Sequence, residues 1–319
     1  MKMQNEAHSM YRLKKESEIF RVWEDGEITP AVSILCITYN HAHYIEKTMS
    51  SFLAQVTRFS FEVLIHDDAS TDGTSDIITK YHENYPNIIK PIIQKENQYT
   101  KGNMIYDELK RRARGKYIAF CEGDDYWTDI NKLQIQHDFL ESHPDISVSG
   151  HDSYTATPDG RVIVKSRLPK RHQRDYPAAD LITGKAWLLN LTLMYRNVDF
   201  GDIPERTKVV NNDKFLISLL GQFGGSHFHS DITPACHIRH EGGVWSGVDL
   251  QARNEAQMNS WFWIYKYYNR IGKHEYADAF WQMYVRKVFS HSSRRVLIKE
   301  LIIKMLFLRE IVLFVRSRV

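Results

Sequence analysis

The chain has 319 residues, 43% hydrophobic, 12% aromatic and 25% charged, the profile of a soluble globular protein with one large domain or two modest ones. Lys and Arg number 42 against 39 Asp and Glu, and a formal net charge of +3 gives no case for a nucleic-acid partner held by global charge. Three cysteines, Cys36, Cys121 and Cys236, each in an apolar run, exclude a disulfide scaffold, and no run of about 18 uncharged apolar residues reads as a membrane span.

The N-terminal 20 residues lack the apolar stretch of a signal peptide, so the expected location is a reducing, cytoplasmic compartment. Residues 1–28 read as a polar arm. Ala31–Thr38 (AVSILCIT) is a short, β-branched apolar run, the pattern of a strand buried on both faces. Asn40 is the expected N-cap of a helix over His41–Gln55, where Ile45, Met49, Phe52 and Leu53 have helical spacing. Phe61–His66 predicts a second strand and Thr74–Asn84 a helix, with Thr71, Asp72 or Thr74 as its cap. Ile88–Gln94 predicts a third strand. Gly102–Arg114 reads as a helix closed by Gly115 at C′, and Lys116–Cys121 as a fourth strand.

Strands alternating with helices imply βαβ units and a parallel sheet, whose ligands bind beyond the carboxyl ends of the strands. The polar clusters fall at those ends: Thr38-Tyr39-Asn40, Asp67-Asp68, and Glu122-Gly123-Asp124-Asp125. A helix over Asn131–His143 follows, with Lys132, Gln134 and Gln136 among its apolar positions, and then strands at Ile146–Gly150 and Arg161–Lys165. The basic stretch Leu168–Tyr176 reads as a mobile loop. Further on, the pattern predicts a helix over Leu181–Leu189, a strand over Leu191–Tyr195, a helix over Asp213–Phe223 and a strand within Ser226–His240. From about Asn254 it is helical to the end.

Three acids within four residues repel one another and need a cation, a turn role or solvent. Carboxylate oxygens suit Mg²⁺ or Mn²⁺ shared with substrate phosphates; the alternative is a solvated acidic turn. Position after a buried strand, with a second acidic pair at another strand end, favours the metal–phosphate reading. A carboxylate at the tip of the second strand is placed to accept hydrogen bonds from a base N–H or from ribose hydroxyls.

In order, VSILCITYNHAHYIEKTMSSFLAQ, FEVLIHDDASTDGTSDII and GKYIAFCEGDDYWTDINKLQIQHDFLE resemble successive motifs of the family 2 glycosyltransferases, from about Ala31 to Glu141, with weaker echoes to about Ser246. The resemblance implies an α/β fold of the GT-A type: a Rossmann-like nucleotide-binding sheet with helices on both faces over residues 29–248, followed by a helical region over 249–319. It implies an inverting transferase taking a sugar from a nucleotide-diphosphate donor, UDP being the commonest nucleotide, to a glycan or lipid-linked glycan acceptor at the inner face of the plasma membrane. Thr38, Tyr39, Asn40, Asp67 and Asp68 then hold the nucleotide. The family's Asp-x-Asp motif falls on Glu122-Gly123-Asp124, where the first acid is Glu. Asp124 is thus the metal ligand for Mn²⁺ or Mg²⁺, Glu122 acts through water or on the ribose, and Asp125 extends the motif.

By the same resemblance Asp213, in Asn211-Asn212-Asp213-Lys214, takes the place of the general base, although the common Glu-Asp pair is Asn-Asp here; an N-terminal helix carboxylate is its plainer role. His240 is expected beside the diphosphate or metal, Arg239 on phosphate oxygens, and Trp245 stacked on a sugar or packed. The aromatic run Trp261–Tyr268 is expected to pack on the catalytic domain. Residues 294–319 combine apolar runs with Lys299, Lys304, Arg309, Arg316 and Arg318, suiting either a peripheral membrane helix or a buried C-terminal one. Two rivals stand beside this reading. A sugar-nucleotide nucleotidyltransferase would need an early glycine-rich phosphate loop, which VSILCITYNHAHYI does not contain; a non-catalytic nucleotide-sugar-binding module would keep the fold without the chemistry.

Overall fold

The computed structural model describes residues 11, 13–24, 29–243 and 247–291. The chain divides into two compact units, one running to Thr207 and resuming over Asn212–Asp249, the other made of Lys208–Asn211 and the chain from Leu250. In the first, after a short helix α1 (Glu16–Phe20), the sequence alternates β1 (Val32–Thr38), α2 (Ile45–Leu53), β2 (Phe61–Asp67), α3 (Thr74–Asn84), β3 (Ile89–Ile93), α4 (Ile105–Arg112) and β4 (Tyr117–Phe120). It continues through α5 (Lys132–Ser142), β5 (Ile146–His151), β6 (Ser153–Ala156), β7 (Val162–Val164), α6 (Ala178–Ile182), β8 (Met194–Arg196), α7 (Asn212–Leu220), β9 (Gly225–His229) and β10 (Ala235–Ile238).

Seven strands form one sheet in the order β3-β2-β1-β4-β8-β5-β9, in which only β8 runs against its neighbours. Alternate residues of each strand feed opposite cores, as the two-residue period requires. Ile34, Cys36, Val63, Ile65, Tyr117 and Ala119 meet α2, α3 and α5 on one face, whereas Leu35, Leu64, Ile118 and Phe120 meet α4, α6 and α7 on the other. A small second sheet, β10-β6-β7, sits beside the strand ends. It is tied to the acidic loop through Tyr126 and Cys236, whose backbone groups exchange hydrogen bonds of 3.1 and 2.9 Å.

Several local expectations give way to tertiary structure. The helix after β1 starts at Ile45 rather than His41, and Asn40 does not cap it; Asn40 lies in the left-handed region at φ +54°. Helix α4 begins at Ile105 and ends at Arg112, so Gly115 is no C′ residue. Gly115 instead lies where β4 approaches β1, and a Cβ there would fall 2.7 Å from the Val32 carbonyl carbon. Helix α6 covers Ala178–Ile182 instead of Leu181–Leu189, being set between Pro177 and the left-handed Gly184 at φ +71°. The stretch 168–176 is fastened, since the Gln173 amide donates to Leu168 O (2.9 Å) and Ser166 Oγ (3.0 Å), and Leu168 and Tyr176 are buried. Strand β6 (SYTA) has no apolar pattern and was not expected.

Beneath the acidic loop lies a buried polar network. Lys132 Nζ donates to Gln136 Oε1 (2.6 Å) and sits 4.2 Å from the Trp127 ring centroid, while Gln136 donates to Ser149 and to the Thr192 carbonyl. Burial pushes the Lys132 amine down to about 7.

In the second unit, α8 (Leu250–Arg270) and α9 (His274–His291) turn at Gly272 and pair their aromatic rings: Tyr265 on Trp281 (5.0 Å), Phe262 on Tyr284 (5.6 Å) and Tyr268 on Phe280 (6.0 Å). The run Trp261–Tyr268 thus finds partners inside the helical hairpin. No described helix is long and apolar enough to cross a membrane, and residues 294–319 and Trp245 lie outside the described residues.

Candidate active site

The ends of β1 and β2 are laced together before any ligand is considered. Three successive backbone N–H groups leave β1 and find side-chain acceptors in the loop after β2: Asn40 N–H on Ser70 Oγ (2.8 Å), His41 N–H on Thr74 Oγ1 (2.9 Å) and Ala42 N–H on Asp72 Oδ2 (2.9 Å). The Asn40 side chain returns the bond by accepting from Thr71 N–H at 2.8 Å. Such side-chain bonds compete with helix formation, which is why α2 starts late. Asp72 also accepts from Thr74 N–H (3.1 Å), doing the capping work for α3 from outside the helix.

Asp67 and Asp68 are both buried, and each carboxylate is met by protein donors. The Ser70 and Ser75 hydroxyls donate to Asp67. Asp68 accepts the backbone N–H of Gln98 (2.6 Å) and of Tyr99 (3.1 Å) and so fixes the loop after β3. Tyr39 and Tyr99 project from these two loops with exposed rings.

The loop after β4 is arranged differently. Asp125 accepts the Ile238 N–H at 2.9 Å, which draws β10 in. Two residues beyond Ile238, His240 Nε2 comes within 2.9 Å of Asp124 Oδ2, and His41 Nε2 stands 3.7 Å from the same oxygen. Each of the three offers a ligand atom within 4.8 Å of the others. Gly123 makes this convergence possible, because a Cβ there would lie 2.6 Å from Thr38 Cβ and 3.1 Å from His41 Nδ1. The Thr48 hydroxyl secures the turn from below, 2.7 Å from Asp125 O and 3.0 Å from Gly123 O. Tyr44 walls one side, its ring 4.6 Å from that of His240.

The electrostatics follow from this crowding. Burial, then the charges of Asp124 and Asp213, pushes the Glu122 carboxyl up to about 8, and Asp125 is raised well above the usual carboxylate range by burial and its acidic neighbours. Burial pushes Asp124 up as well, but the His240 hydrogen bond and His41 outweigh it and hold the carboxyl below its ordinary value. Burial keeps the His41 imidazole neutral by lowering its pKa, and its buried Nδ1 has no hydrogen-bond partner.

Asp213 enters at the start of α7, within 3.4 Å of the Asn190 amide and close enough to Glu122 to raise its pKa. The carboxylate reaches solvent but is ringed by protein, and that desolvation raises its own pKa against the pull of Lys214. The structure thus brings Asp124, Gly123, Asp125, His240 and Thr38 together at the strand ends, with Asp213 within electrostatic reach of Glu122. The Arg239 side chain is exposed and only its N–H is engaged, on Ala156 O at 2.8 Å. Two residues at the site escaped the sequence reading. His41, directly after Asn40, is one. Arg167, whose charge acts on Glu122 and Asp125, is the other.

Residues 33–190 match the family model described as glycosyl transferase family 2. The chain carries a family 2 glycosyltransferase domain. An uncharacterized protein of Mycobacterium bovis is 34% identical over 223 residues, 70% of this chain, which spans 62% of that relative's length. The UDP-Glc:alpha-D-GlcNAc-diphosphoundecaprenol beta-1,3-glucosyltransferase WfaP of Escherichia coli is 38% identical over 112 residues, 35% of this chain and 41% of its own. Among solved structures, S. aureus TarS 1–349 in complex with UDP-GlcNAc superposes with a TM-score of 0.57 at 19% identity, covering 82% of this chain and 73% of that one. The mannosyltransferase PcManGT from Pyrobaculum calidifontis, in complex with GDP-Man and Mn²⁺, gives 0.50 at 15% identity over 88% and 81%. These likenesses establish the GT-A fold of this family 2 domain.

Proposed function

We propose that the protein is an inverting glycosyltransferase that moves a sugar from a nucleotide-diphosphate donor, a UDP-sugar in the first instance, to a hydroxyl of a glycan or lipid-linked glycan in cell-surface polysaccharide or lipopolysaccharide synthesis. The observation that carries this reading is the meeting of Asp124, His240 and His41 at one oxygen, with Asp213 within electrostatic reach of Glu122. One relative named for a diphosphate-linked acceptor and neighbours holding nucleotide-sugars support the substrate class.

The donor set fits a divalent ion of the Mn²⁺ type: one carboxylate oxygen, one imidazole kept neutral by burial, a second imidazole, and adjacent acids whose mutual repulsion a cation relieves. Asp124, His240 and His41 would hold it, and it would supply Lewis-acid stabilisation to the departing diphosphate. Thr38, Tyr39 and Asn40 line the nucleoside side, where the buried Asp67 and Asp68 act by fixing the loops that carry Tyr39 and Tyr99. Glu122, Gly123 and Asp125 shape the diphosphate side, with Arg239 at its rim. The acceptor oxygen forms its bond to the anomeric carbon as the bond to the diphosphate oxygen breaks on the opposite face. Asp213, its carboxyl raised toward the working range of a general base, takes the acceptor proton.

The test is a panel of nucleotide-sugars screened for Mn²⁺- or Mg²⁺-dependent release of nucleoside diphosphate. Turnover of one donor that is lost with EDTA supports the reading, and no turnover of any donor with either metal overturns it.

A further inference from the structure

The strongest feature that the reaction above leaves unused is a cluster of cations beside Asp213. The fastened stretch after β7 carries Lys170, Arg171, His172 and Arg174, and its imidazole is anchored by a 2.6 Å contact between His172 Nδ1 and the Tyr176 hydroxyl. Arg171 Nε lies 3.1 Å from His172 Nε2, and Arg174 sits 4.4 Å from the Tyr176 ring centroid. Lys214, next to Asp213 at the head of α7, lies within electrostatic reach of that imidazole. After desolvation, the charges of Arg171, Arg174 and Lys214 all lower the His172 pKa.

Of the acids nearby, Asp175 is turned to the Phe228 N–H (2.8 Å) and to His227 (3.1 Å). Asp180 stands 3.8 Å from Arg174 but is shared with Lys185 at 3.7 Å. Lys214 is drawn by its neighbour Asp213, the proposed proton acceptor. Three cations converging on one imidazole repel one another, and an anion bound among them relieves that repulsion. Beside them Trp187 is 43% exposed, its ring centroid 5.2 Å from that of His172. A flat exposed indole against the imidazole on which these cations act suits a sugar ring that carries phosphate, since guanidinium pairs with phosphate oxygens in a bidentate manner.

We propose that this patch is the acceptor's phosphate site: Arg171 and Lys214 hold a phosphate or diphosphate of the acceptor glycan, Trp187 carries one of its sugar rings, and the reacting hydroxyl is presented to Asp213. The proposal rests on the reading of Asp213 as the base. The phosphate has two chemical sources, the diphosphate that joins a glycan to a lipid and the phosphodiesters along a polyol-phosphate polymer, and the test separates them.

Isothermal titration of the full chain, without donor, uses three probes: a short-chain alkyl N-acetylglucosaminyl diphosphate, a glycerol-phosphate oligomer, and the neutral alkyl N-acetylglucosaminide. One of the anionic probes is expected to bind at least about tenfold tighter than the neutral one, the difference that one or two charge-assisted hydrogen bonds supply, and which of the two does so names the source. That preference is expected to vanish in Arg171→Gln/Lys214→Gln and to survive in Lys214→Arg, with thermal melting confirming that each variant is folded. Equal or absent binding of all three probes overturns the proposal. So does an anionic preference unchanged in the double variant, which places the phosphate elsewhere. Donor hydrolysis by the native protein is scored separately, so a protein that hydrolyses a nucleotide-sugar yet ignores the phosphate sinks this proposal and leaves the transferase reading standing.

Discussion

Two strand ends in this domain carry adjacent acids, and they use them in opposite ways. After β2, Asp67 and Asp68 are enclosed by donors from Ser70, Ser75, Gln98 and Tyr99. Those carboxylates are mortar: hydrogen-bonded and committed to holding two loops. After β4, Glu122, Asp124 and Asp125 share two histidines and one backbone N–H, and two of the three acids are pushed above their ordinary range. The difference is one of donor supply. Where the protein provides enough N–H and O–H groups, an acidic pair stabilises the fold; where it does not, the same residue types stay crowded, the arrangement we propose takes a cation and an anionic substrate.

The contrast can be broken at either end. The largest expected effect lies at the head of α7: Asp213→Asn should lower sugar transfer by ~10²–10⁴-fold while nucleotide-sugar binding by calorimetry stays near native. Transfer at the native rate would remove Asp213 from the mechanism. Asp124→Asn should weaken Mn²⁺ binding, read by electron paramagnetic resonance, by more than the ~10–100-fold typical of groups that only orient a metal ligand. His41→Ala should weaken it as well, and unchanged affinity there would reduce the site to Asp124 and His240.

At the other strand end the expectation is a loss of stability. Asp68→Ala strands two backbone N–H groups and should cost about 2–3 kcal/mol in urea unfolding, with Mn²⁺ affinity retained in the folded fraction. Gly123→Ala, which forces a Cβ against Thr38, should cost about 1–3 kcal/mol. The last expectation is a pH dependence and concerns Lys132. Its folded pKa of about 7 lies below the unfolded value, so between about pH 7 and pH 10 the unfolded chain binds the extra proton and stability rises with pH by up to ~1.4 kcal/mol per unit. Lys132→Met should flatten that slope; an unaltered slope would assign it to another group.

The parallel half of the sheet was legible because its strands are short apolar runs closed by polar tips, and β1, β2, β3 and β4 lie within a residue or two of where the pattern places them. The later half was less so. Strand β6 is SYTA, with no apolar period, and α6 is trimmed by Pro177 and Gly184, whose effects the apolar pattern alone does not weigh. Asn40 looked like a helix cap because Asn favours that role. Its backbone was instead captured by Ser70, a residue 30 positions away. Leu168–Tyr176 reads as loose from its charges, yet Gln173 and Tyr176 fasten it.

The same division runs through the site. The order and spacing of the motifs are linear properties, and from them the sequence determined a βαβ nucleotide-binding fold, the strand ends where chemistry gathers, and Asp124 as the acid to watch. Only the tertiary structure decided that His41 and His240, 199 positions apart in sequence, meet at one oxygen of Asp124, that Asp68 is spent on backbone N–H groups, and that cations gather beside Asp213. Hydrophobic period is a local code, written every two or four residues. Which donors reach which carboxylate depends on loops from distant segments closing over one another, and no single segment records that.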